Sequence, residues 1–168
     1  EGDDSTTIGG IRSFGRIGRS ILEPLRLTIH YPRQLLLLEE APDEVPPGSV
    51  PYVIKGRFMS IPAKVTTPRG QQEIDFVFDP GASGSVIDRK WAIEQGIATK
   101  TEDRTKIPAM QIGGLFVENT SMLLGVMREL PYRDKKAKYE PLGLIGAELM
   151  FGLSVTYDFS RDLVWLVQ

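Results

Sequence analysis

Residues Phe76–Ile87 read FVFDPGASGSVI, and this stretch decides the fold. An apolar, strand-like run ends at one carboxylate, Asp79, which is followed by a Gly-containing turn and by a second apolar segment, Val86-Ile87. An Asp before a Pro-Gly turn is usually turn chemistry. By itself the pattern predicts two strands of a β-rich domain joined by a loop that begins at Asp79.

Composition limits the class of protein. The chain has 168 residues, of which 41% are apolar and 25% charged, enough for one packed domain. A net charge of −2 provides no basic field, so no nucleic acid is expected as a partner. The absence of cysteine and the single His30 exclude a disulfide framework, a thiolate nucleophile and a Cys- or His-rich metal site. No apolar run reaches the roughly 18 to 20 residues of a membrane span.

The start of the sequence bears on its origin. It begins with Glu1 and lacks a charged segment followed by an apolar one, so we interpret it as a processed or truncated piece of a longer precursor. The lack of cysteine and a missing leader are compatible with export, so a periplasmic or secreted location is the expectation.

Turn and strand signals dominate the chain. Twelve Pro and seventeen Gly separate short β-branched and aromatic runs, which predicts a mainly β domain with one or two short helices. Tyr52–Thr67 is expected to form one long strand, or two strands broken at Pro62, and the chain returns through Glu73–Phe78 to Asp79. Asp88 is expected to N-cap a short helix that ends at Gly96.

The second half of the chain continues the β pattern. A hairpin is predicted around Gly113-Gly114, with strands at Ile107–Ile112 and Leu115–Val126. Arg128–Lys138 is expected to be a solvated loop. The remaining predictions are an apolar segment, a helical turn and a closing hairpin, at 142–146, 147–151 and 154–167.

An internal repeat suggests how the chain is organised. Gly15–Gly18 aligns without a gap with Gly143–Gly146, and Leu25–Leu38 aligns with Leu153–Leu166. Three of four residues in the first pair and five of fourteen in the second are identical. Chance similarity between two hairpins is one interpretation. The other is that residues 1–38 are the tail of a preceding copy of the fold, residues 39–51 an exposed linker, and residues 52–168 a complete second copy.

Two separated motifs resemble those of the retropepsin-like aspartic peptidases. Asp79-Pro80-Gly81-Ala82 is similar to the family's Asp-Thr/Ser-Gly-Ala/Ser loop, and Leu144-Ile145-Gly146 to its two apolar residues followed by Gly. The resemblance covers about Tyr52 to Val167. It implies a closed, barrel-like acid protease domain in which Asp79 is catalytic, Pro80, Gly81 and Ala82 form the active-site loop, and Leu144, Ile145 and Gly146 support that loop.

The family's chemistry implies a partner. Two carboxylates that share one proton activate a water molecule and polarise the peptide carbonyl, with no metal or organic cofactor. Each domain supplies one aspartate, so Asp79 needs a second retropepsin-like domain, either a missing first half or a homodimer mate. The substrate implied is an extended peptide or protein. A tandem, pepsin-like two-domain arrangement with proteolytic processing is the interpretation that the repeat favours.

Two departures from the family pattern keep alternatives open. Pro80 replaces a Thr or Ser whose hydroxyl helps to lock the two loops together. In addition, the segment Ala98–Lys106 is too short and too charged for the hairpin flap that covers the substrate. The domain could be a second half that needs no flap, or a degenerate module that binds peptide or stabilises a partner. An unrelated β-barrel interaction domain would not place Leu144–Gly146 beneath the Asp79 loop.

Overall fold

The computed structural model describes residues 6–8, 11–13, 17–40, 43–56, 58–127 and 141–168. In these ranges the chain forms fourteen strands, three short α-helices and one 3₁₀ turn. In chain order they are β1 (Thr6–Ile8), β2 (Ile11–Ser13), α1 (Arg19–Leu22), β3 (Leu25–His30), the 3₁₀ turn (Tyr31–Arg33), β4 (Leu35–Glu40), β5 (Val50–Pro51), β6 (Val53–Lys55), β7 (Phe58–Thr67), β8 (Gly70–Phe78), β9 (Val86–Asp88), α2 (Arg89–Glu94), β10 (Arg104–Ile112), β11 (Leu115–Gly125), β12 (Gly143–Ile145), α3 (Ala147–Met150), β13 (Ser154–Asp158) and β14 (Leu163–Val167).

Six strands close into a barrel. The sheet order is β10-β11-β9-β12-β8-β7-β6, and β10 also pairs with β7, which joins the two ends of the six-stranded part. The interior is filled by apolar side chains that are 0% exposed, among them Ile61, Phe76, Ile87, Ile107 and Met110. The predicted mainly β, closed-barrel fold class is confirmed. No helix in the described ranges is long and apolar enough to cross a membrane.

The strand break expected at Pro62 was wrong. β7 runs through this residue without interruption, and the chain breaks instead between β6 and β7, where Gly56 has a φ of +67°. β6 pairs with residues 58–60 of β7 and β10 pairs with residues 64–66, so Pro62 lies where β7 changes neighbours. A residue without an N–H is tolerated where β7 has no neighbour on this edge, and Pro62 still lies opposite Asp75 of β8 on the other edge.

The predicted linker, residues 39–51, was expected to be exposed throughout, but its last two residues form a strand. Residues 43–45 are exposed, but Val50 and Pro51 form β5, which pairs with the edge of β14. Val50 is 4% exposed and belongs to the barrel core. Burial of its apolar side chain and pairing of the β14 edge explain why the end of this segment is ordered against the domain.

The helix after the Asp79 loop is capped as predicted. An Asp88 carboxylate oxygen accepts a hydrogen bond from the Trp91 N–H at 3.0 Å, and Gly96 follows the helix with a φ of +76°. The N–H groups of Gly96 and Ile97 bond to the carbonyls of Ile93 and Ala92, which is the Schellman arrangement. The hairpin around Gly113-Gly114 is also present. The solvated loop predicted for Arg128–Lys138 lies outside the described residues.

A second sheet joins the first forty residues to the end of the chain. Its order is β4-β3-β13-β14-β5. The two hairpins in it are related residue by residue. Leu27 pairs with Leu38 in the first, and Val155 pairs with Leu166 in the second, which is the same register moved by 128 residues. Both turns contain a left-handed residue, Gln34 at φ 54° and Asp162 at φ 53°.

The strands β3 and β13 pair about equivalent residues. Thr28 lies opposite Thr156, and their hydroxyl oxygens are 2.9 Å apart at a sequence separation of 128. Leu27 lies opposite Tyr157 and Ile29 opposite Val155. An antiparallel pair has a local twofold axis perpendicular to the sheet. Here that axis passes between Thr28 and Thr156 and exchanges the two hairpins.

A buried ion pair fixes the turn of the closing hairpin. The Asp158 side chain is 1% exposed and lies 2.6 Å from an Arg161 guanidinium nitrogen. Burial alone would raise the pKa of this carboxyl, but hydrogen bonds from Ser160 and Arg161, together with the Arg161 charge, outweigh burial and lower the pKa below its usual value.

We expect Asp158→Asn to lower the free energy of unfolding by about 2 kcal/mol at neutral pH, since hydrogen bonds to charged groups contribute roughly 1.5 to 3 kcal/mol. The folded-state pKa is the lower one. The contribution is therefore complete above the unfolded-state pKa of about 3.9 and is lost as the pH falls through the folded-state pKa. Urea unfolding of both proteins from neutral to acid pH should show a difference that shrinks in acid. Asp75→Asn, at an exposed carboxylate on β8, is the control and should change nothing.

Candidate active site

The Asp79 loop connects two strands that are not neighbours. β8 ends at Phe78 and β9 begins at Val86, and β12 lies between them in the sheet. β12 is parallel to β8 and antiparallel to β9. The chain must therefore cross over the end of β12 between residues 79 and 85. This crossing is what places Asp79 at the rim of the barrel.

The end of β12 holds the crossing loop by hydrogen bonds. The Ile145 carbonyl accepts from the Asp79 N–H at 3.0 Å, and the Ala147 N–H donates to the Ala82 carbonyl at 2.8 Å. The Gly146 N–H donates to the buried Ser85 hydroxyl at 3.1 Å. These bonds lie at both ends of the loop, so its position is fixed relative to the barrel.

Glycine is required where the loop meets β12. A Cβ at Gly146 would lie 2.7 Å from the Ala82 carbonyl oxygen and closer still to that of Gly84. A Cβ at Gly143 would overlap the Phe76 ring. Position 146 therefore requires glycine because two backbones approach closely there. Its φ of −102° would allow any residue, so backbone conformation is not the reason.

Leu144 and Ile145 support the loop from opposite faces of the sheet. Ile145 is 0% exposed and lies in the main core, where Phe76 and Phe78 also lie. Leu144 is 3% exposed and packs with Val77 and Met127 in a second small cluster that Ala82 partly covers. The structure thus brings together the residues that the sequence analysis assigned to the loop and to its support.

Asp79 itself is half-buried at the start of the loop. The Gly81 N–H donates to Asp79 Oδ1 at 2.9 Å, and the Ala82 N–H donates to the Asp79 carbonyl at 3.1 Å. The Gly81 N–H thereby orients the carboxylate, and the Ala82 N–H closes the turn through the Asp79 main-chain carbonyl. A Cβ on Gly81 would come within 3.1 Å of the same Oδ1. Pro80 occupies the turn without an N–H or hydroxyl to offer a second loop.

Two residues near the site were given no role in it by sequence reasoning. The buried hydroxyl of Ser85 accepts a hydrogen bond from the Gly146 N–H at the end of β12. Tyr157 was not singled out at all. Its ring centroid lies 6.0 Å from that of Phe78, directly before Asp79. Burial raises the pKa of Tyr157, and nearby Tyr31 and Asp79 raise it further, so the phenol stays neutral. The contact joins residues far apart in sequence, so no local sequence signal indicates it.

The segment after α2 is a short loop. Every residue from 95 to 103 is described, and none of them is in a strand. The Thr99 N–H donates to a Glu102 carboxylate oxygen at 2.7 Å, and the Arg89 guanidinium bonds to the Glu102 carbonyl and lies 3.4 Å from Asp103. These contacts hold the segment against the barrel.

Similarity to known proteins is found among solved structures. No family model matches the sequence, and no curated protein matches it. Among solved structures, the chain is similar to the crystal structure of a retropepsin-like aspartic protease from Rickettsia conorii, with 16% identity over 76% of this chain and 99% of that chain and a TM-score of 0.48. A similarity of this size concerns the fold and assigns no residue a role.

We expect Gly146→Ala to destabilise the protein by roughly 1 to 3 kcal/mol, the usual cost of forcing extra volume into a packed site. The added methyl group must push the loop away from β12. Urea unfolding measures the loss, and hydrogen exchange at the Ala82 and Asp79 amides measures loosening of the loop. Gly152→Ala is the matched control, because a Cβ there meets nothing within 4 Å. Equal stability of the two variants would contradict the assigned close approach.

Proposed function

We propose that the barrel is one half of an aspartic endopeptidase, in which Asp79 supplies one catalytic carboxylate and a partner domain supplies the other. The observation that carries the proposal is the crossing loop. It places a single carboxylate at the barrel rim, held by the Asp79 N–H bond to Ile145 and oriented by the Gly81 N–H.

The chemistry requires a second carboxylate. The loop from residue 79 to residue 85 contains only one, Asp79. One carboxylate can accept a proton from an attacking water, but it cannot also donate one to the carbonyl oxygen. Two carboxylates at close range cannot both ionise readily, so they share a proton and act as base and acid together.

The second carboxylate comes from another domain of the same kind. The shared register of the two hairpins and the local twofold at Thr28 and Thr156 support a tandem arrangement. A twofold or pseudo-twofold relation between two domains brings equivalent loops together at one axis. In this arrangement residues 1–38 end the first domain, the linker runs from residue 39 to the start of β5, and β5 (Val50–Pro51) with residues 52–168 forms the second domain.

The substrate is an extended peptide bound by main-chain pairing with apolar side-chain pockets. The short loop from 95 to 103 supplies no covering hairpin. The first domain would therefore provide the one flap that a single cleft requires. Water must be kept from the reacting groups during the reaction, which is the task of such a flap.

A non-catalytic peptide-binding or partner-stabilising module is the second candidate. Pro80 favours it, because this residue removes the hydroxyl and N–H that could tie two catalytic loops together. In that case the protein would keep the barrel and the Asp79 loop packed on β12 but would not cleave peptides. The two candidates differ in activity and agree in fold.

Peptide cleavage by the full-length precursor tests the proposal. We expect Asp79→Asn to reduce the rate constant kcat at least about a hundredfold, the usual contribution of a general acid or base, with thermal stability nearly unchanged. A pepstatin-type inhibitor should block the wild-type protein from acid to neutral pH. The control is Asp75→Asn, an exposed carboxylate on β8, the strand that leads into Asp79. Equal cleavage by wild-type and Asp79→Asn proteins rules out the assigned role, and no cleavage by either favours the binding module.

A further inference from the structure

Residues Ile17–Arg19 resemble the backbone segment that supports the Asp79 loop, but no loop in the described part of the chain packs on them. We name these three residues the Gly18 seat. They align with Ile145–Ala147, which hold the Asp79 loop, at the same separation of 128 residues that relates Thr28 to Thr156. Gly18 has φ −92° and ψ 169°, close to φ −102° and ψ 180° at Gly146. Each glycine precedes a four-residue helix, α1 or α3. The two supports therefore share one backbone shape.

The two supports differ in what covers them. A Cβ at Gly146 would collide with the loop, whereas a Cβ at Gly18 meets nothing within 4 Å. Ile17 is 70% exposed, and its equivalent Ile145 is 0% exposed. In the described part of the chain, nothing therefore calls for a glycine at position 18. A loop packed against position 18, as the Asp79 loop packs against Gly146, would require a glycine there.

The β4 strand also carries large apolar side chains that are exposed. Leu36 and Leu38 are 69% and 53% exposed. Their equivalents on β14, Val164 and Leu166, are 0% and 6% exposed because the barrel covers them. Both hairpins belong to one continuous sheet, and the local twofold is perpendicular to it. The uncovered leucines thus continue the face that the barrel already covers on the other side of the axis.

We propose that the Gly18 seat and the Leu36-Leu38 face of β4 close a second barrel, and that its crossing loop rests on Gly18. The occupant is a retropepsin-like segment that lacks its own last strands, because residues 17–40 supply them. That its loop carries the second aspartate rests on the proposed function. The Ile17 carbonyl would accept from that aspartate's N–H, as Ile145 does for Asp79, and the Arg19 N–H would donate to a loop carbonyl, as Ala147 does.

A second copy of this chain does not fit the seat. Its Asp79 loop is already held on its own Gly146, and its own β13–β14 hairpin already covers its barrel. Only a barrel with an unfilled place for these strands can use residues 17–40. The occupant is therefore upstream sequence of the same precursor, or that sequence after cleavage.

Thiol alkylation tests the seat without relying on activity. The chain has no cysteine, so Leu36→Cys introduces a single thiol into residues 1–168. The comparison is between the 168-residue chain and the full-length precursor, both carrying Asp79→Asn to prevent self-cleavage. We expect alkylation by iodoacetamide to be at least about tenfold slower in the precursor. Phe116→Cys, 58% exposed at the end of β11 away from the Asp79 loop, is the control and should react equally in both, after correction for any upstream cysteine.

A second substitution links the protection to Gly18. Gly18→Val should leave the unfolding of the 168-residue chain unchanged, and in the precursor it should restore fast alkylation of Leu36→Cys. Equal alkylation of Leu36→Cys in both proteins would overturn the proposal. Protection that appears in the 168-residue chain as its concentration rises would also overturn it, in favour of a second copy. Protection without peptidase activity of the Asp79-containing precursor would retain the seat and reject the proposed function.

Discussion

The hydrogen bonds between the end of β12 and the Asp79 loop are the contact on which the rest of the site depends. Because β12 lies between β8 and β9, the chain that joins those strands has to pass over it. The carbonyl of Ile145 and the N–H of Ala147 then fix both halves of the crossing. Only a residue without a side chain can sit beneath the crossing, and Gly146 meets that condition. The Gly81 N–H donates to the carboxylate, so backbone geometry contributes to its orientation.

The same geometry explains why one chain can carry two unequal supports. Residues 17–40 repeat the shape that closes the barrel, yet they project from it as a hairpin paired at Thr28 and Thr156. Apolar side chains buried in one hairpin are exposed in the other. Leaving several large apolar side chains in water gives up roughly 1.5 to 3 kcal/mol each, so a sequence that retains them in one patch indicates an interface. The two supports therefore differ in whether other residues cover them, while their backbone conformations are alike.

Local signals predicted the parts of the fold that local chemistry controls. The Asp88 cap, the glycine after α2 and the Gly113-Gly114 hairpin follow from capping and turn preferences, and each is present. The expected break at Pro62 was wrong because the tolerance of proline depends on which neighbours a strand has at that point. The end of the linker was also misjudged, since the burial of Val50 depends on the β14 edge that it meets. Both errors concern contacts between residues far apart in sequence.

The sequence alone determined the class of the fold, the position of the loop carboxylate and the second motif that accompanies it. Apolar periodicity, turn residues and a gapless repeat can all be read from the sequence without coordinates. Only the tertiary structure decided that β12 enters between β8 and β9, that Ser85 and Tyr157 belong to the site, and that one glycine supports a loop while its twin does not. These facts depend on which strands become neighbours, and strand neighbours are chosen by packing of the whole chain.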